Sequence, residues 1–125
     1  MTTAFIIEDN EDNLELIRFI LEQANYKTRF AMTGMEGVQQ VLNLPPDFVI
    51  LDIQLPDING LEVLKRIREH PYGVSIPIIA MTSYAMSGDK HKLLAAGCTG
   101  YIEKPIDPLL VISQIQQIVG GDDLL

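Results

Sequence analysis

The chain has 125 residues, 47% of them hydrophobic, and 9 Lys and Arg against 17 Asp and Glu give a formal charge of −8. That length suits one domain, since domains average roughly 100–200 residues, and the apolar share is ample for one core. The acidity repels phosphate backbones and anionic lipid surfaces, and the longest apolar runs, Phe48 to Leu51 and Leu109 to Ile112, are far too short for a bilayer; direct nucleic-acid binding and membrane insertion are excluded.

Glu8 and Asp9 interrupt any signal-peptide core, so a cytoplasmic location is expected. Cys98 is the only cysteine, and His70 and His91 are the only histidines. They provide neither a disulfide nor a soft ligand set for zinc, so any metal must be held by oxygen.

Strand-length apolar stretches alternate with longer amphipathic ones along the chain. The first predicted strand is Ala4 to Glu8. A helix follows, with Leu14, Ile17, Leu21 and Ala24 at helical spacing and Asp12 and Glu15 placed as a capping box. The second strand, Lys27 to Ala31, precedes a helix from Gly34 to Leu42. The third strand, Phe48 to Asp52, precedes a helix from Leu61 to His70 that ends before Pro71. Pro77 to Thr82 forms the fourth strand, with a helix over Gly88 to Ala96. Gly100 to Ile102 and a helix over Pro108 to Val119 complete the pattern, and residues 121–125 read as a short acidic tail. Continuous apolar runs at the first, third and fourth strands indicate strands covered on both faces. The alternation predicts an α/β fold with a doubly wound parallel sheet.

In such a sheet ligands bind outside the carboxyl ends of the strands. There the sequence places Glu8 and Asp9 after the first strand, Asp52 at the end of the third, Thr82 at the end of the fourth and Lys104 just beyond the fifth. Carboxylates that converge repel one another unless a cation neutralises them. Mg²⁺ is the best match, because it accepts one or two carboxylates, a phosphate oxygen and water. Taken singly, each acidic residue also serves as an ordinary helix cap, and Lys104 as a solvated loop lysine. Asp52 resists the plain alternative most, because it closes a hydrophobic run.

The segments IIED at 6–9, LDIQLPDINGLEVL at 51–64, IIAMTSYAMSGD at 78–89 and GYIEKP at 100–105 together resemble the receiver domain of bacterial two-component response regulators. The AMSGD and AAGC segments are most similar to stand-alone regulators of the DivK type. The resemblance implies a five-stranded sheet of order 2-1-3-4-5 over residues 1–120. It implies Asp52 as phosphoacceptor, with a histidine kinase or histidine phosphotransfer protein as donor. Glu8, Asp9, Asp52 and the backbone carbonyl of Gln54 would hold Mg²⁺, Thr82 and Lys104 would bind the phosphoryl oxygens, and Thr82 with Tyr101 would form the switch. Gln54 and Tyr84 would flank the approach of hydrolytic water, with Tyr84 shielding the phosphoryl group. A cis peptide is expected before Pro105. Glu8 stands where Asp is usual, and Ser83 follows Thr82 where a smaller residue is frequent.

Three rivals share parts of this pattern. Aspartate-nucleophile phosphatases place a second Asp two residues on, where this chain has Gln54, so a multiple-turnover enzyme is not expected. A flavodoxin-type carrier wants a phosphate loop where Glu8 and Asp9 stand. A receiver-like interaction module independent of phosphorylation is the remaining alternative. Output is expected through a downstream protein target, from a monomer or weak dimer. In the last helix Val111, Ile115 and Ile118 form a core stripe, while Leu110, Ile112 and Val119 are left over either as a docking surface or as further core.

Overall fold

A computed structural model describes residues 2–83 and 87–119. Five parallel strands, β1 (Thr3–Ile7), β2 (Lys27–Ala31), β3 (Phe48–Asp52), β4 (Ile78–Thr82) and β5 (Gly100–Glu103), form one sheet in the order β2-β1-β3-β4-β5. The connections run through α1 (Glu11–Gln23), α2 (Gly34–Asn43), α3 (Gly60–Arg68) and α4 (Ser87–Ala95), and α5 (Val111–Val119) follows β5.

The two-residue period of the strands deals their apolar side chains to opposite faces. Phe5, Ile7, Val49, Leu51, Ile78 and Ala80 pack with Val41 of α2, Val63, Leu64 and Ile67 of α3 and Leu93 of α4. Ala4, Ile6, Phe48, Ile50, Ile79 and Met81 pack with Leu14, Ile17 and Leu21 of α1 and Val111 and Ile115 of α5. The unbroken runs in β1, β3 and β4 therefore serve two cores. In α5, Val111 and Ile115 are buried, whereas Ile112, Ile118 and Val119 are partly buried against the α1 side. Leu109 and Leu110 stay exposed at 91% and 52%.

Two helix starts differ from the sequence expectation by more than one residue. Asn10 caps α1, its side chain accepting from the Asn13 N–H at 2.9 Å, so Asp12 lies inside the first turn and no Asp12–Glu15 capping box forms. Asparagine after the acidic pair meets the first orphan N–H groups sooner. Likewise α5 begins at Val111 and not at Pro108, because the Asp107 carboxylate and carbonyl take the N–H groups of Leu109, Leu110 and Val111 in a preceding turn. At the sheet edge Arg29 of β2 lies 5.0 Å from the Phe5 ring centroid and donates to the carbonyls of Leu44 and Gln40 at 2.6 and 3.1 Å.

The loop between β3 and α3 is tied down at both ends. At its base the Gly60 N–H donates to the Ile53 carbonyl at 2.8 Å, and a Cβ on Gly60 would lie 2.6 Å from Ile53 Cα. At its tip Asp57 reaches across to α2, where Oδ1 accepts from Gly34 N at 2.8 Å and Oδ2 from Met35 N at 2.9 Å. A carboxylate at a helix N-terminus is favoured by both the orphan donors and the dipole. The Met35 N–H leads in holding the Asp57 carboxyl below its ordinary value of 3.8, with Gly34 in support and partial burial opposing. The stability from this bridge is thus complete above that value and fades as pH falls through the lower folded-state pKa. Urea titrations of wild type and Asp57→Ala should show a constant difference near neutrality that shrinks below pH 3.8; a gap unchanged in acid contradicts the charge-assisted bridge.

Candidate functional site

The strand register assembles the polar residues. β1 and β3 pair Ile6 with Ile50 and Ile7 with Leu51, so the next positions, Glu8 and Asp52, lie side by side. Beyond the strands the ladder continues, with Glu8 N donating to Ala31 O at 3.1 Å, Ile53 N to Met81 O at 3.2 Å and Lys104 N to Thr82 O at 2.8 Å. These bonds fix the backbone beneath each functional side chain.

Glu8 and Asp52 are buried, at 1% and 5% exposure, and Asp9 is exposed. One carboxylate oxygen from each of the three lies within 4.8 Å of the others. The Lys104 ammonium sits 3.2 Å from Glu8 Oε1 and 3.2 Å from Asp52 Oδ1. Asp52 Oδ1 also accepts from the Gln54 N–H at 3.0 Å, and Glu8 Oε2 from the Asn10 N–H at 3.2 Å. Thr82 is buried at the end of β4, and Ser83 is exposed. Tyr101 lies half-buried in β5 beside Ala80, packed against the core of α2, α3 and α4, with Lys90 Nζ 5.1 Å from its ring centroid. The Lys104–Pro105 peptide is cis, as the resemblance implies. A cleft of about 440 Å³ opens beside Glu8 and Lys104 toward Leu16 and Ile17 of α1 and Ile106 after β5.

Burial is the main reason that the Glu8 carboxyl is pushed up to about 7. Its hydrogen bond with Asp52 and that residue's charge push the same way, while the Asn10 N–H and the Lys104 charge oppose them. One ammonium thus faces more negative charge than it balances. The donor set is all oxygen, compact and open on the Asp9 side, which suits a hard divalent cation.

Every residue singled out from sequence at a strand end lies at this edge of the sheet. Gln54 lies there too, its N–H turned to Asp52. Tyr84 falls outside the described residues, as does the tail at 121–125. Sequence reasoning missed Asn10, although an Asn directly after Glu8 and Asp9 is a cap signal. It also missed Asp57, whose partners lie 22 and 23 positions away.

The model of the response regulator receiver domain family matches residues 4–116. With that match, this fold and this strand-end constellation, the chain belongs to the receiver domains of response regulators and acts in two-component signalling, not as a conventional multiple-turnover enzyme. It is 37% identical over 118 residues to the polar-differentiation response regulator DivK of Brucella ovis, covering 94% of this chain and 96% of that one. A putative response regulator from Chloroflexus aurantiacus shares 31% identity with a TM-score of 0.88, over 94% of this chain and 97% of the other. The receiver domain of the sensor histidine kinase PA1611 from Pseudomonas aeruginosa PAO1, solved with a magnesium ion coordinated in its active site cleft, shares 28% identity with a TM-score of 0.87, over 95% and 98% of the two chains. Among the described residues no helix is long and apolar enough to cross a membrane.

Replacing Asp52 by Asn removes one carboxylate facing Glu8 and leaves an oxygen to accept from Gln54 and Lys104. With divalent metal chelated, Asp52→Asn should unfold a few degrees above wild type, equivalent to about 1 kcal/mol. Differential scanning calorimetry reads this directly, and a lower transition would mean that attraction to Lys104 outweighs repulsion from Glu8.

Proposed function

We propose that Asp52 accepts a phosphoryl group from a phosphohistidine on a histidine kinase or histidine phosphotransfer protein. The observation that carries this reading is a buried carboxylate at the end of β3 with two further carboxylates within 4.8 Å and an ammonium at 3.2 Å. An oxygen of Asp52 attacks phosphorus, a P–O bond forms as the P–N bond breaks, and the imidazole leaves with the electron pair. Lys104 then exchanges its contact with Asp52 for one with a phosphoryl oxygen, and the Thr82 hydroxyl donates to another. Glu8, Asp9, Asp52 and the Gln54 carbonyl would hold Mg²⁺. When bound, the ion neutralises the acidic cluster and the charge on the incoming phosphoryl oxygens. Hydrolysis by water returns Asp52 to its free form, so the domain catalyses its own phosphorylation and dephosphorylation.

The receiver unit is residues 1–120, and its place is the cytoplasm. Leu109 and Leu110 offer an apolar surface to a downstream protein target. Tyr101 lies two strand positions before Glu103, which pairs with Thr82, so movement of Thr82 toward a phosphoryl group is felt by its ring. That coupling would bias the surface around α4 and β5.

Incubation with radiolabelled acetyl phosphate should label the wild type only when Mg²⁺ is present, and Asp52→Asn should take up no label. Labelling of that variant to the wild-type extent removes Asp52 as nucleophile. Thr82→Ala is expected to accept label while losing most of the phosphorylation-dependent gain in affinity for its target. Parallel measurements of labelling and binding test this, and a proportional fall in both assigns Thr82 to chemistry and not to the switch.

A further inference from the structure

The geometry points to Asp57 as a positioning residue for the metal site, acting through the β3–α3 loop and its Gln54 on the far side of Pro56. The inference rests on the reading of Glu8, Asp9, Asp52 and Gln54 as the Mg²⁺ ligands.

Gln54 has two tasks in that site: its N–H orients Asp52 through the 3.0 Å contact, and its carbonyl would be a ligand. Its side chain is exposed, so its own packing does little to hold it. The loop is instead fixed from outside. Asp57, three residues on, clasps the first two N–H groups of α2 at 2.8 and 2.9 Å. Pro56 stiffens the connection, since its ring sets φ near −65°. A second observation shows how closely the loop tip sits on α2: a Cβ added to Gly34 would lie 2.7 Å from Ile58 Cγ1 and 3.3 Å from Asp57 Oδ1. At the base a Cβ on Gly60 would come within 3.1 Å of the Asp52 carbonyl oxygen. The segment carrying Gln54 is therefore clamped between a closed base and a tied tip. Groups that orient a ligand without touching the metal commonly govern affinity.

The test is Mg²⁺ titration of the unphosphorylated protein by isothermal titration calorimetry. Asp57→Ala should raise the Mg²⁺ dissociation constant about tenfold. Asp57→Asn loses the charge but keeps an acceptor for one α2 N–H, and should recover at least half of that loss on a logarithmic scale. Thr33→Ala controls for α2 itself, because Thr33 Oγ1 caps the same helix by accepting from Glu36 N at 3.2 Å; its affinity should stay at the wild-type value. Wild-type affinity in Asp57→Ala overturns the proposal. So do equal losses in the Asn and Ala variants, which reduce the effect to charge, or an equal loss in Thr33→Ala, which reduces it to helix stability. Asp9→Asn separates the two readings: a loss there with none in Asp57→Ala leaves the ligand set standing and the positioning role fallen, whereas no Mg²⁺ binding by the wild type overturns both.

Discussion

Glu8 and Asp52 are carboxylates taken almost wholly out of water and set next to each other by the β1–β3 register. Removing an ion from water costs several kcal/mol even after the protein relaxes, and a like charge alongside adds to it. Much of the carboxyl edge of the sheet answers that cost. Lys104 is delivered from the far side of β4 to a point 3.2 Å from both, and the main chain contributes the N–H groups of Asn10 and Gln54. These partners leave the cluster with surplus negative charge, and the exposed Asp9 gives a cation a way in. The same imbalance that weighs on the fold makes the edge receptive to a divalent ion and, through it, to a phosphoryl group.

The rest of the sheet holds this arrangement rigidly. Because β1, β3 and β4 are covered on both faces, their ends cannot shift without disturbing two cores at once. Interiors packed to crystal-like density resist such shifts. The ladder bonds at Glu8, Ile53 and Lys104 carry the rigidity one residue beyond the strand ends.

Much of this was legible in the sequence. β2 and β3 fall where the sequence puts them, β4 and β5 differ by a residue at one end, and β1 is shifted by one residue at both ends. For β3 the pattern succeeds because a doubly covered strand has to be apolar at every position, which leaves little freedom of register. Helix starts were less legible, since Asn10, Asp12, Asp107 and Pro108 are all competent start residues and only the geometry of the preceding turn chooses among them. The acidic site could be read from residue types at strand ends together with family resemblance. The Asp57 bridge could not, because it joins a loop to a helix across more than twenty positions with no periodic signature.

The sheet is open, and its flank at β2 bears on the fate of the chain at high concentration. An unpaired strand edge is a template for another strand, and natural sheets blunt such edges with cationic side chains. Lys27 is exposed on β2, and Arg29 spends its guanidinium on the Leu44 and Gln40 carbonyls, with the same group over the Phe5 ring. A second molecule approaching along this strand meets the charged side chains of Lys27 and Arg29 beside the free N–H and C=O groups. With a surplus of eight negative charges over the whole chain, this flank favours solubility over edge-to-edge stacking, and keeps β2 from recruiting foreign strands into a sheet whose carboxyl edge carries the chemistry.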